Sequence, residues 1–337
     1  MQLSLPLWRP RAAERPSAAS ARPLLARPAA GGWHQRDEAV MGTTIHVELW
    51  TERRADAAAA MDAVMAEMHR IDRLYSPHKD DSELSRINRD AGRSAVPVSE
   101  ETFSLLERAR TFAALSDGAF DISYAAVGRL YDYRRGIAPD EARLAAARDL
   151  VDWRGIELDA AARSVRFARP GMCIDLGGFA KGHAVDGATT RLRAMGIRHA
   201  YVSAGGDSRV IGDRRGRPWS VAVRHPRQAD GFAAVLPLED CAVSTSGDYE
   251  RYFERAGVRH HHLIDPATGR SPSAVHSVTV IADDGLTAEA LSKTLFVRGV
   301  ERGMALLERV PGADAVVIDA HGRLHFSAGL QARSQED

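Results

Sequence analysis

Apolar and polar residues recur with two distinct periods along this chain. Between Ala55 and Tyr75 the apolar residues stand three or four positions apart, which predicts an amphipathic helix. From Thr43 to Leu49 they alternate with polar residues, which predicts a half-buried strand. The same periodicity, together with capping residues, predicts further helices over residues 82–88, 100–116, 179–195, 287–297 and 300–309, and a short one opened by Pro139-Asp140-Glu141.

Hairpins interrupt the helical segments. Pairs of short apolar runs separated by turn residues predict hairpins at 156–167, at 249–264 and around His321-Gly322. Single strands are predicted at 210–211, 219–223 and 276–281. Because strands and helices alternate irregularly, we expect an α+β fold with mixed, largely antiparallel sheets and packed helices, rather than a doubly wound parallel sheet.

The stretch from Met172 to Asp207 combines two apolar runs with two glycine turns. Residues 172–174 read as a strand, which Gly177-Gly178 separates from the helix predicted at 179–195. A strand, a glycine turn and a helix N-terminus together can bind a phosphate group. The spacing is neither the dinucleotide fingerprint nor the Walker A loop, so a turn that only shapes the chain is the alternative.

Composition limits the class of protein. The 337 residues include 45 basic and 45 acidic side chains, so the net charge gives no reason to expect binding to nucleic acid or to a membrane surface. No apolar run approaches the ~20 residues that span a bilayer. Cys173 and Cys241 lie in apolar runs, and we expect free, buried thiols rather than a disulfide or a metal-ligand pair.

Residues 1–36 differ from the rest of the chain. They are rich in alanine, arginine and proline, and Glu14 is the only acidic residue before Asp37. Such a segment buries too little apolar surface to offset its ordering entropy, so we expect a disordered tail. It lacks the apolar core of a secretory signal and a lipid-accepting cysteine. We therefore expect a cytoplasmic protein, with a periplasmic or membrane-associated location as the alternative.

Side chains that could carry chemistry lie beside glycine turns or at strand ends, where binding groups collect. They are Asp175, Lys181, Asp207, Asp248, His262, Asp265, Glu289 and Lys293. Each has a structural alternative. Lys181 could be solvated on the first turn of its helix, and Glu289 with Lys293 has the i, i+4 spacing of a surface ion pair. Residues 260–262 are consecutive histidines that alternate faces in a strand, so a three-histidine metal cluster is not expected.

An ordered series of segments resembles the FAD:protein FMN transferase (ApbE) family from about Val40 to Leu330. Each segment is common by itself, whereas seven or more in the same order are specific. The series comprises Met41-Gly42-Thr43, Tyr75, Asp81-Ser82-Glu83-Leu84-Ser85-Arg86-Ile87-Asn88, Gly118-Ala119-Phe120-Asp121, Ile174-Asp175-Leu176-Gly177-Gly178-Phe179-Ala180-Lys181-Gly182, Gly205-Gly206-Asp207, Ser244-Thr245-Ser246-Gly247-Asp248-Tyr249, His261-His262-Leu263-Ile264-Asp265-Pro266 and Ser277-Val278-Thr279-Val280-Ile281-Ala282.

The resemblance implies an enzyme that cleaves FAD, releases AMP and attaches FMN through a phosphoester to a threonine or serine of a target flavoprotein. It implies FAD-binding positions at Met41, Tyr75, Ala119, Phe120, Asp121, Asp175, Lys181 and Ile264. The residue types agree, because Lys181 near a helix start suits pyrophosphate oxygens and aromatic side chains offer surfaces to flat rings. His262 matches a family histidine, and we interpret it as the general base for the incoming hydroxyl.

The resemblance also implies Mg²⁺, bound by the backbone carbonyl at Gly178 and by two side chains on the late helix. Where the family has an aspartate and a threonine, this chain has Glu289 and Lys293. Glutamate retains the carboxylate, but a charged lysine has no lone pair for a metal. Because Mg²⁺ requires near-octahedral oxygen ligands, we expect weaker metal dependence, with Gly178 and Glu289 as the metal positions.

The implied organisation is one catalytic domain at residues 37–330, followed by a C-terminal tail at 331–337. The implied partners are FAD and an acceptor protein with a threonine or serine flavinylation site, without nucleic acid and without a transmembrane segment. Two alternatives stay open. Water could replace the protein hydroxyl, which gives a metal-dependent FAD pyrophosphatase, or the protein could bind flavin without turnover.

Overall fold

The computed structural model describes residues 3–4, 31–228 and 230–333. The helices are α1 (Arg54–Tyr75), α2 (Glu83–Asp90), α3 (Glu100–Leu115), α4 (Ala125–Gly128), α5 (Glu141–Arg148), α6 (Ala180–Ala194), α7 (Gly285–Leu307) and α8 (Ala328–Arg333). The strands are β1 (Leu3–Ser4), β2 (Gly32–Val40), β3 (Thr43–Thr51), β4 (Val96–Pro97), β5 (Ile156–Asp159), β6 (Ser164–Phe167), β7 (Ala200–Ala204), β8 (Asp207–Ile211), β9 (Trp219–Arg224), β10 (Phe232–Leu238), β11 (Ala242–Gly247), β12 (Tyr252–Arg255), β13 (Val258–His261), β14 (Val275–Ala282), β15 (Asp314–Asp319) and β16 (Leu324–Phe326).

The largest sheet has eight strands in the order β16-β15-β14-β11-β8-β7-β3-β2. Every neighbouring pair in it is antiparallel. Smaller sheets are formed by β1-β10-β9, by β4-β6-β5 and by the hairpin β12-β13. The predicted α+β fold with mixed, largely antiparallel sheets and packed helices is confirmed.

The large sheet is covered on both faces. Alternation along β14 directs Val278 and Val280 into the core that the helices α1, α6 and α7 share, whereas Ile281 packs in a second cluster with Trp219 and Leu236 of β9 and β10. Burial on both sides explains why β14 and β15 are buried along almost their whole length rather than at alternate positions.

The predicted helices are found within a few residues of their expected ends. Ser82 and Asp140 cap α2 and α5 by accepting hydrogen bonds from the backbone N–H groups of Ser85 and Arg143. Gly299 interrupts α7 as predicted, since its φ of 75° and ψ of −179° depart from helical geometry. Local signals therefore locate most helix boundaries.

The apolar run at residues 172–174 is not a strand, contrary to the prediction. It lies outside every sheet, and a side chain satisfies part of its backbone. The Ile174 N–H donates to Asn88 Oδ1 at 2.7 Å, and Asn88 Nδ2 donates to the Ile174 carbonyl at 2.8 Å. Asn88 thus replaces a neighbouring strand, which hydrophobic periodicity does not reveal.

Regular structure extends into both predicted tails. β2 begins at Gly32, so residues 32–36 pair with β3 rather than belong to a disordered tail, because a strand partner compensates for their polar composition. Leu3–Ser4 pairs with Ala234–Val235 of β10, and α8 continues to Arg333. The predicted tail residues 1–2, 5–30 and 334–337 lie outside the described ranges.

Cys173 and Cys241 are buried and free, as expected. Burial raises the pKa of the Cys173 thiol, which makes it an inert packing residue. In the part of the chain that the structure describes, no helix combines the length and the apolar character needed to cross a membrane.

We expect Asn88→Ala to destabilise the protein, because the Ile174 N–H and carbonyl would both lose their partner. Each unsatisfied group costs about 1–3 kcal/mol, so the free energy of unfolding in a urea titration should fall by about 2–4 kcal/mol. The matched control is Arg89→Ala on the same helix, where an exposed side chain makes a hydrogen bond of 3.4 Å. It should change the value by less than about 0.5 kcal/mol, and equal losses in both variants would contradict the expectation.

Candidate functional site

A cleft of about 1530 Å³ gathers residues from distant parts of the chain. Its volume exceeds the range of about 300–1,000 Å³ that is usual for drug-sized ligands, so it can hold a larger molecule. The predicted site residues that line it are Met41, Tyr75, Ala119, Phe120, Asp121, Asp175, Gly178, Lys181, His262 and Ile264. Glu289 does not line the cleft, but it contacts Lys181 and Lys293, which do.

One wall begins at the two-residue turn between β2 and β3. Val40 pairs with Thr43, so Met41 and Gly42 form the turn, and their φ values are both positive at 55° and 68°. This is the type I′ geometry that matches strand twist in tight hairpins. Methionine adopts a positive φ only at an energetic cost, and such strain is often found at functional sites. Here it places Met41 on the cleft.

Aromatic rings form a second wall. Phe120 lies on the cleft and packs against Phe112 and Phe179, with ring centroids between 5.3 and 6.2 Å apart. Tyr75 is buried, and its hydroxyl lies 3.1 Å from Thr102 Oγ1. Burial raises the pKa of Tyr75 well above its ordinary value, so the ring stays neutral. These fixed rings suit the flat face of a heterocycle.

Asp121 and Asp175 differ in the hydrogen bonds they already make. Asp121 accepts from the backbone and hydroxyl of Ser123 at 2.7 and 2.6 Å and from the Trp153 N–H at 3.0 Å, so it fixes the cleft wall. Asp175 accepts from the Gly177 N–H at 2.5 Å through Oδ1, and burial raises the pKa of its carboxyl. Among the described residues, none donates a hydrogen bond to Asp175 Oδ2, which can therefore accept one from a ligand.

Lys181, in the first turn of α6, is paired rather than solvated. Its Nζ donates to Asp207 Oδ2 and, at 2.6 Å, to Glu289 Oε1. Burial would lower the pKa of Lys181, but the two carboxylates outweigh burial and hold it above its ordinary value. Burial would raise the pKa of Asp207, but the charges of Lys181 and Lys293 lower it. Lys181 and Asp207 are therefore charged at neutral pH.

The ion pair between Glu289 and Lys293 exists, but it is not on the surface. Lys293 Nζ lies 3.2 Å from Glu289 Oε1, and Glu289 is 0% exposed. Glu289 Oε2 accepts from the Gly182 N–H at 2.7 Å. A Cβ added to Gly182 would lie 2.3 Å from the Gly285 carbonyl oxygen, so α6 and α7 meet in direct backbone contact at this point. That contact brings Glu289 to the first turn of α6.

Sequence reasoning missed a layer of serines behind the lysines. Ser244 Oγ donates to Asp207 Oδ1 at 2.5 Å, and Ser292 Oγ lies 2.9 Å from the hydroxyls of both Ser244 and Ser246. Tyr124, also unanticipated, lines the cleft. The packing of β11 against α7 creates the serine layer, and no local motif signals it.

His262 lines the cleft, whereas its neighbours point elsewhere. His261 is buried with Nε2 2.8 Å from a backbone carbonyl, and His260 stacks on Phe253 at 4.9 Å. Burial, followed by the charge of Lys293, lowers the pKa of His262 to about 3, so its imidazole is neutral. Its Nδ1 is buried and has no hydrogen-bond partner in the described part of the chain.

Two predicted candidates lie away from the cleft. Asp248 forms a bidentate pair with Arg227 at 2.8 and 2.6 Å. Asp265 accepts the Ala267 N–H at 2.9 Å and shapes a turn. Neither side chain lines the cleft, so both contribute to the fold rather than to the site.

The residues at the implied magnesium position do not fit a magnesium cage. Both oxygens of Glu289 already accept hydrogen bonds from N–H groups, and Lys293 offers no lone pair. A Cβ added to Gly178 would lie 3.3 Å from Lys293 Cε. The Lys293 side chain therefore packs against Gly178, while its Nζ contacts Glu289 Oε1. Within the described ranges, no group of three or more His, Cys, Asp or Glu residues could hold a metal ion. The side chains of Glu289 and Lys293 therefore do not supply the oxygen ligands that near-octahedral Mg²⁺ requires.

The fold and the cleft define an α+β ligand-binding protein whose site combines aromatic walls with a buried lysine–carboxylate cluster at a helix start. Over residues 41–317 the sequence matches the ApbE family. The FAD:protein FMN transferase of Treponema pallidum is 36% identical over 319 residues, which cover 89% of this chain and 88% of that protein.

Solved structures agree with the sequence match. The ApbE protein of Thermotoga maritima superimposes with a TM-score of 0.83 at 32% identity, covering 90% of this chain and 99% of that one. The flavin transferase ApbE of Vibrio cholerae gives 0.81 at 27% identity with the same coverage. The chain belongs to the ApbE family.

We expect Lys181→Met to lower the free energy of unfolding by about 3–5 kcal/mol, because Asp207 and Glu289 would stay buried without their main counter-charge. Urea denaturation followed by circular dichroism measures the loss, and adding Asp207→Asn should recover part of it. The control is Lys79→Met, which removes a part-buried pair with Asp72 whose lysine side chain is 40% exposed, and it should change stability by about 0–1 kcal/mol. A similar small loss in both variants would show that the buried cluster adds little.

Proposed function

We propose that this protein is an FAD:protein FMN transferase, which cleaves FAD and attaches FMN to a threonine or serine of an acceptor protein. The observation that carries the proposal is the paired Lys181, which is held at the start of α6 and lines a cleft that also contains aromatic walls and a neutral His262. The name of the Treponema pallidum relative, which this chain matches over most of its length, supports the same activity.

The reaction is a phosphoryl-type transfer without oxidation or reduction. The hydroxyl oxygen of the acceptor attacks the phosphorus in the FMN half of FAD, and a phosphoester bond forms. The bond from that phosphorus to the bridging oxygen breaks, and AMP leaves with the bridging oxygen. The hydroxyl proton passes to a base. The protein must therefore bind the diphosphate, expose one phosphorus to the acceptor and accept a proton.

Lys181 and the start of α6 are proposed to bind the diphosphate. An ammonium group has three donors, of which Asp207 and Glu289 take two, so one is left for a phosphate oxygen. The positive end of the helix dipole and the nearby Gly177-Gly178 turn favour the same anion. Met41, Tyr75 and Phe120 then supply the apolar surfaces for the flat rings of FAD.

His262 is proposed to accept the proton of the acceptor hydroxyl. Its imidazole is neutral because its pKa is lowered to about 3, and the residue lines the cleft. A neutral imidazole nitrogen on the cleft can accept a hydrogen bond from a hydroxyl and then its proton. The binding of the diphosphate anion nearby would raise the pKa of His262 and favour this transfer.

The catalytic domain, expected at residues 37–330, is proposed to extend from β2 to α8, residues 32–333. Its proposed partners are FAD and an acceptor protein that presents a threonine or serine at the mouth of the cleft. The cleft size leaves room for a large nucleotide.

The central test combines the protein, FAD, Mg²⁺ and a candidate acceptor purified without flavin. The expected result is an acceptor whose mass has increased by one FMN, with an equal amount of AMP released. An acceptor whose target threonine is changed to alanine should gain no mass. Accumulation of FMN and AMP beside unmodified acceptor would instead identify an FAD pyrophosphatase, and FAD binding without turnover would identify a flavin-binding protein.

His262→Ala should slow transfer by about 10²–10⁴-fold, because removal of a general base has an effect of that size. FAD affinity, measured by flavin fluorescence, should change little. The control is His260→Ala, since His260 stacks on Phe253 outside the cleft lining. Transfer at the wild-type rate by His262→Ala would remove this residue from the mechanism.

The low pKa of His262 also predicts a pH profile. Protonation would block the base only as the pH falls towards about 3, so the imidazole is already in its active form between about pH 5 and 8. The kcat/KM for FAD should therefore show no decline centred near about 6.5, the ordinary histidine pKa. A decline centred there that disappears in His262→Ala would contradict the assignment.

A further inference from the structure

Lysine is rare in this chain, and two of the three lysines contact the same carboxylate oxygen. Of the 45 basic residues only Lys79, Lys181 and Lys293 are lysines, and the others are arginines. Lys181 Nζ and Lys293 Nζ lie 2.6 and 3.2 Å from the same oxygen, Glu289 Oε1, although they come from different helices. An ammonium is a compact point charge with three donors, whereas a guanidinium is a planar fork. The corner of the cleft formed by Lys181, Lys293 and their carboxylate partners Asp207 and Glu289 therefore uses compact ammonium groups. Apart from Lys79, all other basic residues of the chain are arginines.

The acceptor capacity of Glu289 is taken by these groups and by the backbone. Oε1 accepts from both ammonium groups, and Oε2 accepts from the Gly182 N–H at 2.7 Å. A divalent cation bound to Oε1 would lie beside two positive charges and would have to displace at least one of them. The carboxylate that a metal would require is committed to ammonium groups.

Lys293 also has donors to spare. In the described ranges its Nζ makes one hydrogen bond, to Glu289 Oε1. Its side chain is 18% exposed, and the residue lines the cleft, whereas Glu289 is 0% exposed. Two of its three N–H groups are therefore available to a ligand in the cleft.

The charges of the corner balance without a metal. Lys181 and Lys293 contribute two positive charges, and Asp207 with Glu289 contributes two negative charges. Without Lys293 the same corner would carry one net negative charge and would repel a diphosphate. Lys293 thus has the position and the sign of charge of a cation that receives an anionic ligand.

We propose that the Lys293 ammonium is the resident cation at the diphosphate end of the cleft, and that this protein binds and uses its flavin nucleotide without a divalent metal. The proposal rests on the function proposed above and extends it. Lys293 donates to diphosphate oxygens from one side, Lys181 does so from the start of α6, and Glu289 holds both ammonium groups in place. The charge that a divalent ion would otherwise offset is offset by the chain itself.

The first test is a flavin-fluorescence titration of the wild-type protein with FAD, in EDTA and across a Mg²⁺ series. We expect a Kd that changes by less than about threefold between the two conditions, and FMN transfer that continues in EDTA. Loss of FAD binding in EDTA that Mg²⁺ restores would overturn the proposal. Because this experiment uses the unmodified protein, a folding defect does not confuse its outcome.

The second test changes the cation. Lys293→Met should weaken FAD and ADP at least about tenfold, because a charge-assisted hydrogen bond is lost, while riboflavin, which has no phosphate, should bind as in the wild type. Lys293→Arg keeps the charge and should retain part of the affinity, and the control Lys79→Met should have no effect. If Lys293→Met binds FAD and ADP as tightly as the wild type, the ammonium does not contact the diphosphate.

The third test restores oxygen ligands. The double variant Glu289→Asp with Lys293→Thr should bind FAD weakly in EDTA and regain affinity with Mg²⁺, and metal-independent binding by this variant would count against the proposal. FAD binding and FMN transfer, measured separately, distinguish a failure of the role of Lys293 from a failure of the transferase function. Metal-free FAD binding without any acceptor modification would refute the transferase and leave Lys293 as the cation. Transfer that requires Mg²⁺ would refute the role of Lys293 and leave the transferase.

Discussion

The pairing of one buried ammonium with two buried carboxylates holds the site together. Lys181 belongs to α6, Asp207 to β8 and Glu289 to α7, so the cluster joins two helices to the central sheet. Such a group is stable only when complete, because each ion removed from water depends on its partners for compensation. The serines behind Asp207 and the Gly182 N–H at Glu289 occupy the remaining acceptor positions. The cleft therefore has a rigid floor of fixed charge.

That cluster requires two helices to approach more closely than side chains normally allow. At Gly182 and Gly285 the backbones of α6 and α7 touch, and a Cβ on either residue would overlap the other backbone. The glycine in the early part of α6 thus serves helix packing, whereas Gly177 and Gly178 line the cleft. A pattern that looks like a phosphate-binding loop has a second physical role, which becomes visible only when the partner helix is known.

Much of the fold could be predicted from periodicity and capping, and less of the site. Ser82, Asp140 and Gly299 mark helix boundaries through local chemistry, so sequence alone locates them. The Asn88 bonds that replace a strand at residues 172–174 join positions 86 apart, and Lys181 and Glu289 lie 108 apart. No local pattern encodes such pairs. Glycine turns and strand ends indicated Lys181 and Glu289 as candidates and the family resemblance implied their roles, whereas only the structure gave the contacts that distinguish a paired lysine from a solvated one.

The scarcity of lysine has a practical consequence for chemical probing. Amine-directed reagents such as active esters find only three side chains on this protein, and two of them share one carboxylate oxygen at the cleft. Lys79 is 40% exposed, against 24% for Lys181 and 18% for Lys293, so it provides an internal reference for reactivity. Because Lys181 stays protonated between its two carboxylates, acylation of lysine side chains reports mainly on Lys79 and Lys293, and a ligand that occupies the cleft can be detected by the protection of Lys293 relative to Lys79 in one mass spectrum.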